Sequence, residues 1–322
     1  MDGIPQGGSY TLSQMFFKFP AVRFRVTPQK AGDSMKIGIV GAGKVGFSFG
    51  RLLAEKGIRI TGYYSRHPES AREAAEFTNS GHYTDLGKLI EDSDAIFITV
   101  PDNAITEVYR QVAAFEIQDK YICHCSGACT AAEAFPGIRA HGASAISIHL
   151  LFPISSKYDC WRELADAFFC IEGDERAAAV FVPLLRGLGL RVQTIAPESK
   201  AQYHLSCALA SNFVCALMQR SVELLGGCGF SEEDALRALT PLMRSNMTHL
   251  IEHGPVSALT GPIERGDTQT VKKHLSCLTE KYDRQLYALL GLEQVKMARQ
   301  KHSGQDFSAL ADLLGSEKEQ NE

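Results

Sequence analysis

A chain of 322 residues exceeds what one hydrophobic core usually organises, so two domains are expected. Its composition, 45% hydrophobic and 22% charged with 28 glycines and 12 prolines, excludes a disordered or fibrous protein. A net charge of −4 offers no field for a polyanion, and no apolar run reaches the roughly 20 residues of a spanning helix, so neither nucleic acid nor a membrane is an expected partner.

The first 34 residues carry Lys18, Arg23, Arg25 and Lys30 against Asp2 and Asp33, with no clear period. A mistaken start codon, a short disordered arm and a weak transit peptide compete as explanations. The first two fit better, because serines are few and no amphipathic helix is visible. From Met35 onward strand and helix alternate, which predicts a doubly wound α/β domain built on a parallel sheet. Strands are expected at Lys36–Val40, Ile58–Tyr64, Ala95–Val100, Tyr121–His124, Ala145–His149, Ala167–Ile171 and Leu190–Ile195. Helices are expected at Lys44–Lys56, Pro68–Thr78, Ala104–Phe115 and from Asp174 to Arg186.

After Pro197 the alternation stops, and a mainly α-helical domain is expected. Pro197 suits a helix start and Gly226-Gly227 an end, which predicts one long helix over Glu198–Leu225. Its apolar residues Leu205, Leu209, Phe213 and Val214 predict that it is buried. Ser231 to Asp234 resembles a capping box opening a second helix towards His253. A Gly/Pro-rich stretch, Gly254–Gly266, precedes a third helix from Asp267 to about Leu290. The expected division is therefore an extension at 1–34, a dinucleotide-binding domain at 35–196 and a helical domain for substrate and dimerisation at 197–322, with a charged, frayed tail from Gly315.

Nine cysteines, an odd count with no apolar signal segment, point to a reducing, cytoplasmic compartment. Cys123, Cys125 and Cys129 flank His124 in a spacing that matches no common zinc pattern. They read as small hydrophobes, and no metal is expected.

Gly41-Ala42-Gly43-Lys44-Val45-Gly46 carries the strongest chemical signal. It follows an apolar strand and opens a helix, where such glycines permit a tight turn, a close approach of pyrophosphate and close helix–strand packing. The helix N-terminus then favours the anionic phosphates. The next strand ends Tyr63-Tyr64-Ser65-Arg66-His67, with no Asp or Glu to bind ribose hydroxyls. A hydroxyl and a cation suit a 2′-phosphate, so NADP(H) is the expected cofactor. Further strand ends read Val100-Pro101-Asp102, His124-Cys125-Ser126-Gly127 and His149, and Val100, Pro101, Asp102, Ser126 and Gly127 join the expected cofactor site.

Lys200, His204, Ala208 and Asn212 follow one another at four-residue spacing and so share a face of the predicted long helix. Leu259 to Asp267 presents Thr260, Arg265 and Asp267 from a loop fixed by two glycines and a proline. Asp267 suits a helix cap at least as well as a catalytic role. His204, Asn212, Lys200, Thr260 and Arg265 are the catalytic candidates. His204 is favoured as proton donor, with His124, His149 and Thr260 as alternatives, Asn212 orienting the substrate and Arg265 holding an anionic group.

At these motifs, together with SIHLLFP, the sequence resembles a family of largely uncharacterised proteins with a Rossmann-like N-terminal domain and a helical C-terminal domain of unknown function. More distantly it is similar to pyrroline-5-carboxylate reductase, the β-hydroxyacid dehydrogenases and the deazaflavin-dependent NADP oxidoreductases. The wider resemblance implies NAD(P) binding between domains and a homodimer formed through the helical domain. It also implies a catalytic lysine four residues before Asn212, and that slot here holds Ala208. Reduction of a C=N or C=O group of a small, anionic substrate, with another proton donor, is therefore expected in place of the lysine mechanism. The competing class is a non-catalytic NADP-binding sensor or scaffold.

Overall fold

The computed structural model describes residues 35–318; the expectation for 1–34 lies outside them. In chain order the first part runs β1 (Lys36–Val40), α1 (Lys44–Glu55), β2 (Arg59–Tyr64), α2 (Pro68–Thr78), β3 (Gly81–His82), α3 (Leu86–Glu91), β4 (Ala95–Ile98) and α4 (Asp102–Val112). It continues with β5 (Tyr121–His124), α5 (Ala131–Ala134), β6 (Ser144–Leu151), α6 (Cys160–Glu163), β7 (Phe168–Gly173), α7 (Glu175–Gly187), β8 (Arg191–Thr194) and α8 (Lys200–Ala210). The strands form one sheet in the order β3-β2-β1-β4-β5-β6-β7-β8. Strand order reverses direction at β1, the switch point of a doubly wound sheet.

Alternation along the strands builds a core on each face. Ile37, Ile39 and Phe97 join Phe47, Phe49 and Phe181 in one apolar cluster, whereas Val40, Ile96, Ile98 and Ile122 join Tyr109 and Phe135 in the other. This is the expected dinucleotide-type architecture with one correction. β7 runs antiparallel to β6, although the other neighbours in the sheet are parallel. The connection between them holds only four α-helical residues, so the chain turns back from the same end of β6 and does not cross over.

A second unit begins after Ala208. It comprises α9 (Asn212–Gly227), α10 (Glu232–His253), α11 (Pro255–Ala258), α12 (Thr268–Cys277), α13 (Lys281–Lys301) and α14 (Ser308–Lys318). Three expectations are corrected here. The single helix over Glu198–Leu225 is two helices, because Ser211 adopts φ −124°, ψ −73°, outside the helical region. Ser211 and Asn212 are residues whose short polar side chains compete with helical backbone bonds. Nor is this stretch buried: Leu205, Leu209 and Phe213 are all more than half exposed. The helix expected from Asp267 to Leu290 also divides, at the extended Leu278, and Arg284 near the start of α13 donates to the Leu275 carbonyl in the last turn of α12.

The tail is helical through Lys318. Leu310 and Leu314 enter the core of the second unit with Val271, Val295 and Phe307, and Glu317 pairs with Arg284 at 2.6 Å. Ser231 caps α10 by accepting from the Asp234 amide at 3.1 Å, as its position before an acidic run predicts.

Candidate functional site

At the β1–α1 turn, Gly41 adopts φ +108°, and a Cβ there would lie 3.0 Å from the Thr99 backbone. At Gly46 a Cβ would meet the Gly41 carbonyl oxygen at 2.4 Å, so helix and turn touch only because no side chain intervenes. Gly43 differs. The nearest atom to a Cβ there is 3.9 Å away, so the protein itself does not require this glycine. The vacant space belongs to a cleft of about 490 Å³ lined by Gly41, Gly43, Tyr64, Ser65, Arg66, Val100, Pro101, Asn103 and Ala104. A bare backbone amide edge at a helix N-terminus is what a pyrophosphate requires. Lys44, Val45 and Gly46 continue from the turn into α1.

Ser65 and Arg66 lie on the cleft wall. Arg66 is exposed, and among the described residues no carboxylate pairs with it. No Asp or Glu replaces it at the end of β2, so the donor set fits a phosphorylated ribose better than a free diol. Asp102 and Ser126 bind each other: the Ser126 hydroxyl donates to Asp102 at 2.7 Å and accepts from the amides of Ala128 and Cys129. They fix the loops after β4 and β5, and Gly127, next in the chain, is buried.

Beside the cleft a row of polar groups crosses three strands. His124 on β5 is in register with Ser147 on β6, and Ser147 is in register with Glu172 on β7. Lys200, only 2% exposed, reaches over this row. Its ammonium donates to the Ser147 hydroxyl and lies 3.7 Å from Glu172 Oε2, which also accepts from the Ala131 amide at 2.9 Å. Burial pushes the Lys200 pKa down, and the Glu172 carboxylate opposes that shift. His124 is fully buried and accepts from the Ser126 amide through Nδ1 at 3.1 Å. Burial, then the Lys200 charge, pushes its pKa down to about 3, so it stays neutral.

His149 lies two residues beyond Ser147 and hence on the same face of β6. Its Nδ1 is 2.6 Å from the Tyr203 hydroxyl, and its ring stands edge-on to His204 with centroids 6.1 Å apart. Burial, Lys200 and His204 together push the His149 pKa down to about 4. Burial pushes the Tyr203 phenol up. Gly127 meets this pair: a Cβ there would lie 2.5 Å from the His204 ring and 2.8 Å from His149 Nε2.

The structure therefore brings Lys200 and His204 to the strand ends with Ser126 and Gly127. Asn212, Thr260 and Arg265 lie in the second unit. Asn212 starts α9 and is exposed, and the break at Ser211 removes it from the helix that carries His204. Thr260 lines an apolar groove of about 610 Å³ with Leu217, Leu242, Met243 and Met247. Arg265 is exposed, while its neighbour Glu264 is tied to His302 at 2.7 Å and Lys301 at 3.1 Å. Asp267 caps α12, accepting from the Thr270 amide at 3.0 Å.

Ser147, Glu172 and Tyr203 escaped the sequence reading. A lone carboxylate closing the apolar run Phe168–Gly173 was the available signal for Glu172, and Tyr203 adjoins His204 in sequence. Among the described residues no group of three His, Cys, Asp or Glu side chains converges as a metal site, and no helix is long and apolar enough to cross a membrane.

Taken together, this sheet, glycine turn and cleft define a domain of dinucleotide-binding type followed by a helical domain. Residues 36–126 match the family described as coenzyme F420-dependent NADP oxidoreductase, and residues 167–294 match a domain of unknown function, DUF2520. The chain thus combines an NADP oxidoreductase domain of Rossmann type with that second domain, and NADP(H) is the cofactor of the matched domain. It is 34% identical over 91 residues to glycerol-3-phosphate dehydrogenase [NAD(P)+] of Leptospira biflexa, a match spanning 24% of this chain and 27% of that protein. In fold it is similar to a candidate NADP oxidoreductase from Bacteroides fragilis (TM-score 0.64, 23% identity, 82% of this chain and 98% of that one). It is similar also to a reductive aminase from Aspergillus terreus in complex with NADPH (TM-score 0.53, 16% identity, 88% and 93%).

Proposed function

We propose that the protein is a cytoplasmic, NADPH-dependent reductase that acts on a C=N or C=O group of a small, anionic substrate. The observation that carries this reading is the cleft itself. Gly43 leaves its amide edge bare for reasons that internal packing does not supply, and the cleft also offers Ser65 and an Arg66 that has no carboxylate partner among the described residues. Gly41, Gly43 and the first turn of α1 would hold the pyrophosphate, and Ser65 and Arg66 the 2′-phosphate. When bound, the cofactor supplies a hydride.

The rest falls to the chain's own side chains. Reduction places negative charge on oxygen or nitrogen, which a nearby acid has to neutralise. His204 is exposed and lies beside Gly127, and a positioned imidazole is the most frequent general acid, so we assign it as the donor. We assign Asn212 to orienting the substrate and Arg265, which makes no ion pair among the described residues, to holding its anionic group. A homodimer belongs to the same reading, supported by the apolar residues that α9 and α10 leave exposed. Nine unpaired cysteines support a reducing compartment.

Fluorescence titration tests the core of it. NADPH should bind more tightly than NADH. Arg66→Ala should weaken NADPH alone by about 1.5–3 kcal/mol, the range for hydrogen bonds to charged groups. Equal affinity for both cofactors would overturn the assignment. NADPH oxidation with ketoacids, imines and aldehydes then identifies the substrate class, and His204→Asn should lower turnover roughly 10²-fold on it.

A further inference from the structure

We propose that His149 is a second catalytic residue: a neutral imidazole, held in one tautomer by Tyr203, that offers its Nε2–H to the acceptor atom of the substrate beside Gly127. The proposal rests on the reductase reading and adds to it a donor that hydrogen-bonds without giving up its proton.

Four features of the geometry lead there. The Tyr203 hydroxyl is 2.6 Å from Nδ1. Nε2 approaches Gly127 so closely that a Cβ there would lie 2.8 Å from it, and among the described residues it has no hydrogen-bond partner. We assign the phenol, which burial keeps protonated, as the donor to Nδ1; a neutral ring accepting at Nδ1 carries its hydrogen on Nε2. The free donor therefore sits at the strand end where a ligand of this fold binds.

Lys200 completes the arrangement as a positioning residue. Its buried ammonium is held by Ser147, two residues from His149 on the same face, and by Glu172. The groups facing His149 are Lys200, His204 and the neutral His124 against Asp102, with Tyr203 and the buried Cys170 alongside. Burial, the Lys200 ammonium and the adjacent His204 disfavour a charge on His149, with Asp102 opposing them. The division of labour balances: the hydride comes with the bound cofactor and the proton from His204. His149 polarises the C=O or C=N bond and keeps its own hydrogen. A neutral imidazole can serve as such an electrophile when its surroundings hold it uncharged.

The test has a spectroscopic arm and a kinetic arm, both on the full chain. Proton–nitrogen correlation spectra of the histidine side chains should show His149 neutral with hydrogen on Nε2 at about pH 6, below the ordinary histidine midpoint of about 6.5. In Tyr203→Phe that preference should be lost. In Lys200→Met combined with Glu172→Gln, the His149 titration should move up towards the ordinary value. Hydrogen on Nδ1, or a charged ring, at that pH would overturn the proposal whether or not any substrate is found.

On a substrate that the wild-type protein reduces, His149→Ala should lower kcat roughly 10²-fold with NADPH affinity unchanged. His149→Gln, which retains an N–H donor, should recover part of the loss. Unchanged kcat in His149→Ala would remove His149 from the chemistry while leaving the reductase reading intact. Absence of NADPH binding would strike that reading alone. Should His149→Ala fail to fold, Tyr203→Phe, which removes one oxygen, decides the kinetic arm by its kcat.

Discussion

The two units bury their apolar residues to very different degrees. In the first, aromatic and aliphatic side chains on both faces of the sheet are sealed: Phe47, Phe49, Phe97, Phe169 and Phe181 are all at most 1% exposed. In the second, α12, α13 and α14 share a closed core, but α9 buries only Val222 and α10 only Ala235. Leu242 is 67% exposed and Ile251 77%. A helix with apolar residues on an open face is ordinarily covered by something. The contrast is one of purpose: the first unit has closed around its sheet and keeps its polar groups at strand ends, whereas the second offers surface.

The buried row of the first unit is where that contrast is most easily broken. Lys200→Met leaves Glu172 charged in the interior with no counter-ion and only the Ala131 amide as partner, which should cost about 3–5 kcal/mol. Pairing it with Glu172→Gln removes the uncompensated charge and should recover most of the loss. Chemical denaturation of both variants measures this. A Lys200→Met protein as stable as wild type would mean that the ammonium holds nothing in place. The double variant tests the ion pair itself, since buried pairs replaced together are often neutral.

Acid should sharpen the same contrast. His149 and His124 have folded pKa values pushed down to about 4 and about 3, against about 6.5 in an unfolded chain. The unfolded state therefore binds protons first as pH falls. The stability these neutral histidines contribute is fully present above about pH 6.5 and is lost progressively towards pH 4 and below. Unfolding free energies from denaturation at about pH 7 and about pH 5 should differ by a few kcal/mol. His149→Gln should flatten the dependence. No acid sensitivity would show that the two rings titrate in the folded protein as they do in the unfolded chain.

For the second unit the corresponding change is at the surface. Leu242→Glu removes apolar area that is already exposed in one chain, so the effect on an isolated chain should be within about 0.5 kcal/mol. If two copies cover each other's α10, the same change should shift the mass seen by light scattering from twice 35.2 kDa towards 35.2 kDa. A monomer in the wild-type protein at micromolar concentration would remove the homodimer from the reading.

Legibility in the sequence follows the same line between the units. The glycine turn, the strand ends and most of the sheet are local, periodic signals, and Lys36–Val40 and Tyr121–His124 are found where the apolar runs place them. The Ser147–Glu172 pairing was hidden, because it depends on β7 returning antiparallel, and no residue pattern within either strand states a direction. The break at Ser211 was hidden for another reason. Helical periodicity continues across it on apolar residues, and a single serine in a non-helical conformation leaves that period nearly intact. Exposure of α9 was misjudged because an apolar helix reads alike whether its own chain or another molecule covers it.

The smallest effect concerns a residue whose two roles the sequence could not separate. Asp267 was a candidate for both capping and chemistry, and in the structure its Oδ1 accepts from the Thr270 amide at 3.0 Å while its Oδ2 accepts from the Thr270 hydroxyl at 2.6 Å. Thr270, through its hydroxyl and amide, lowers the pKa of the Asp267 carboxylate, so the cap is charged throughout the neutral region. Replacing it by alanine frees orphan amides at the start of α12 and should cost roughly 0.5–2 kcal/mol. Asp267→Asn and Asp267→Ser, both good caps, should lose only a fraction of that. The second unit is where the loss should register, through α12 and its buried Val271 and Leu275. Hydrogen exchange of the first-turn amides of α12 would localise it. Turnover on an identified substrate should be unchanged in all three variants at temperatures where each is folded. A fall in kcat in Asp267→Asn, with its melting temperature preserved, would return this carboxylate to the chemistry.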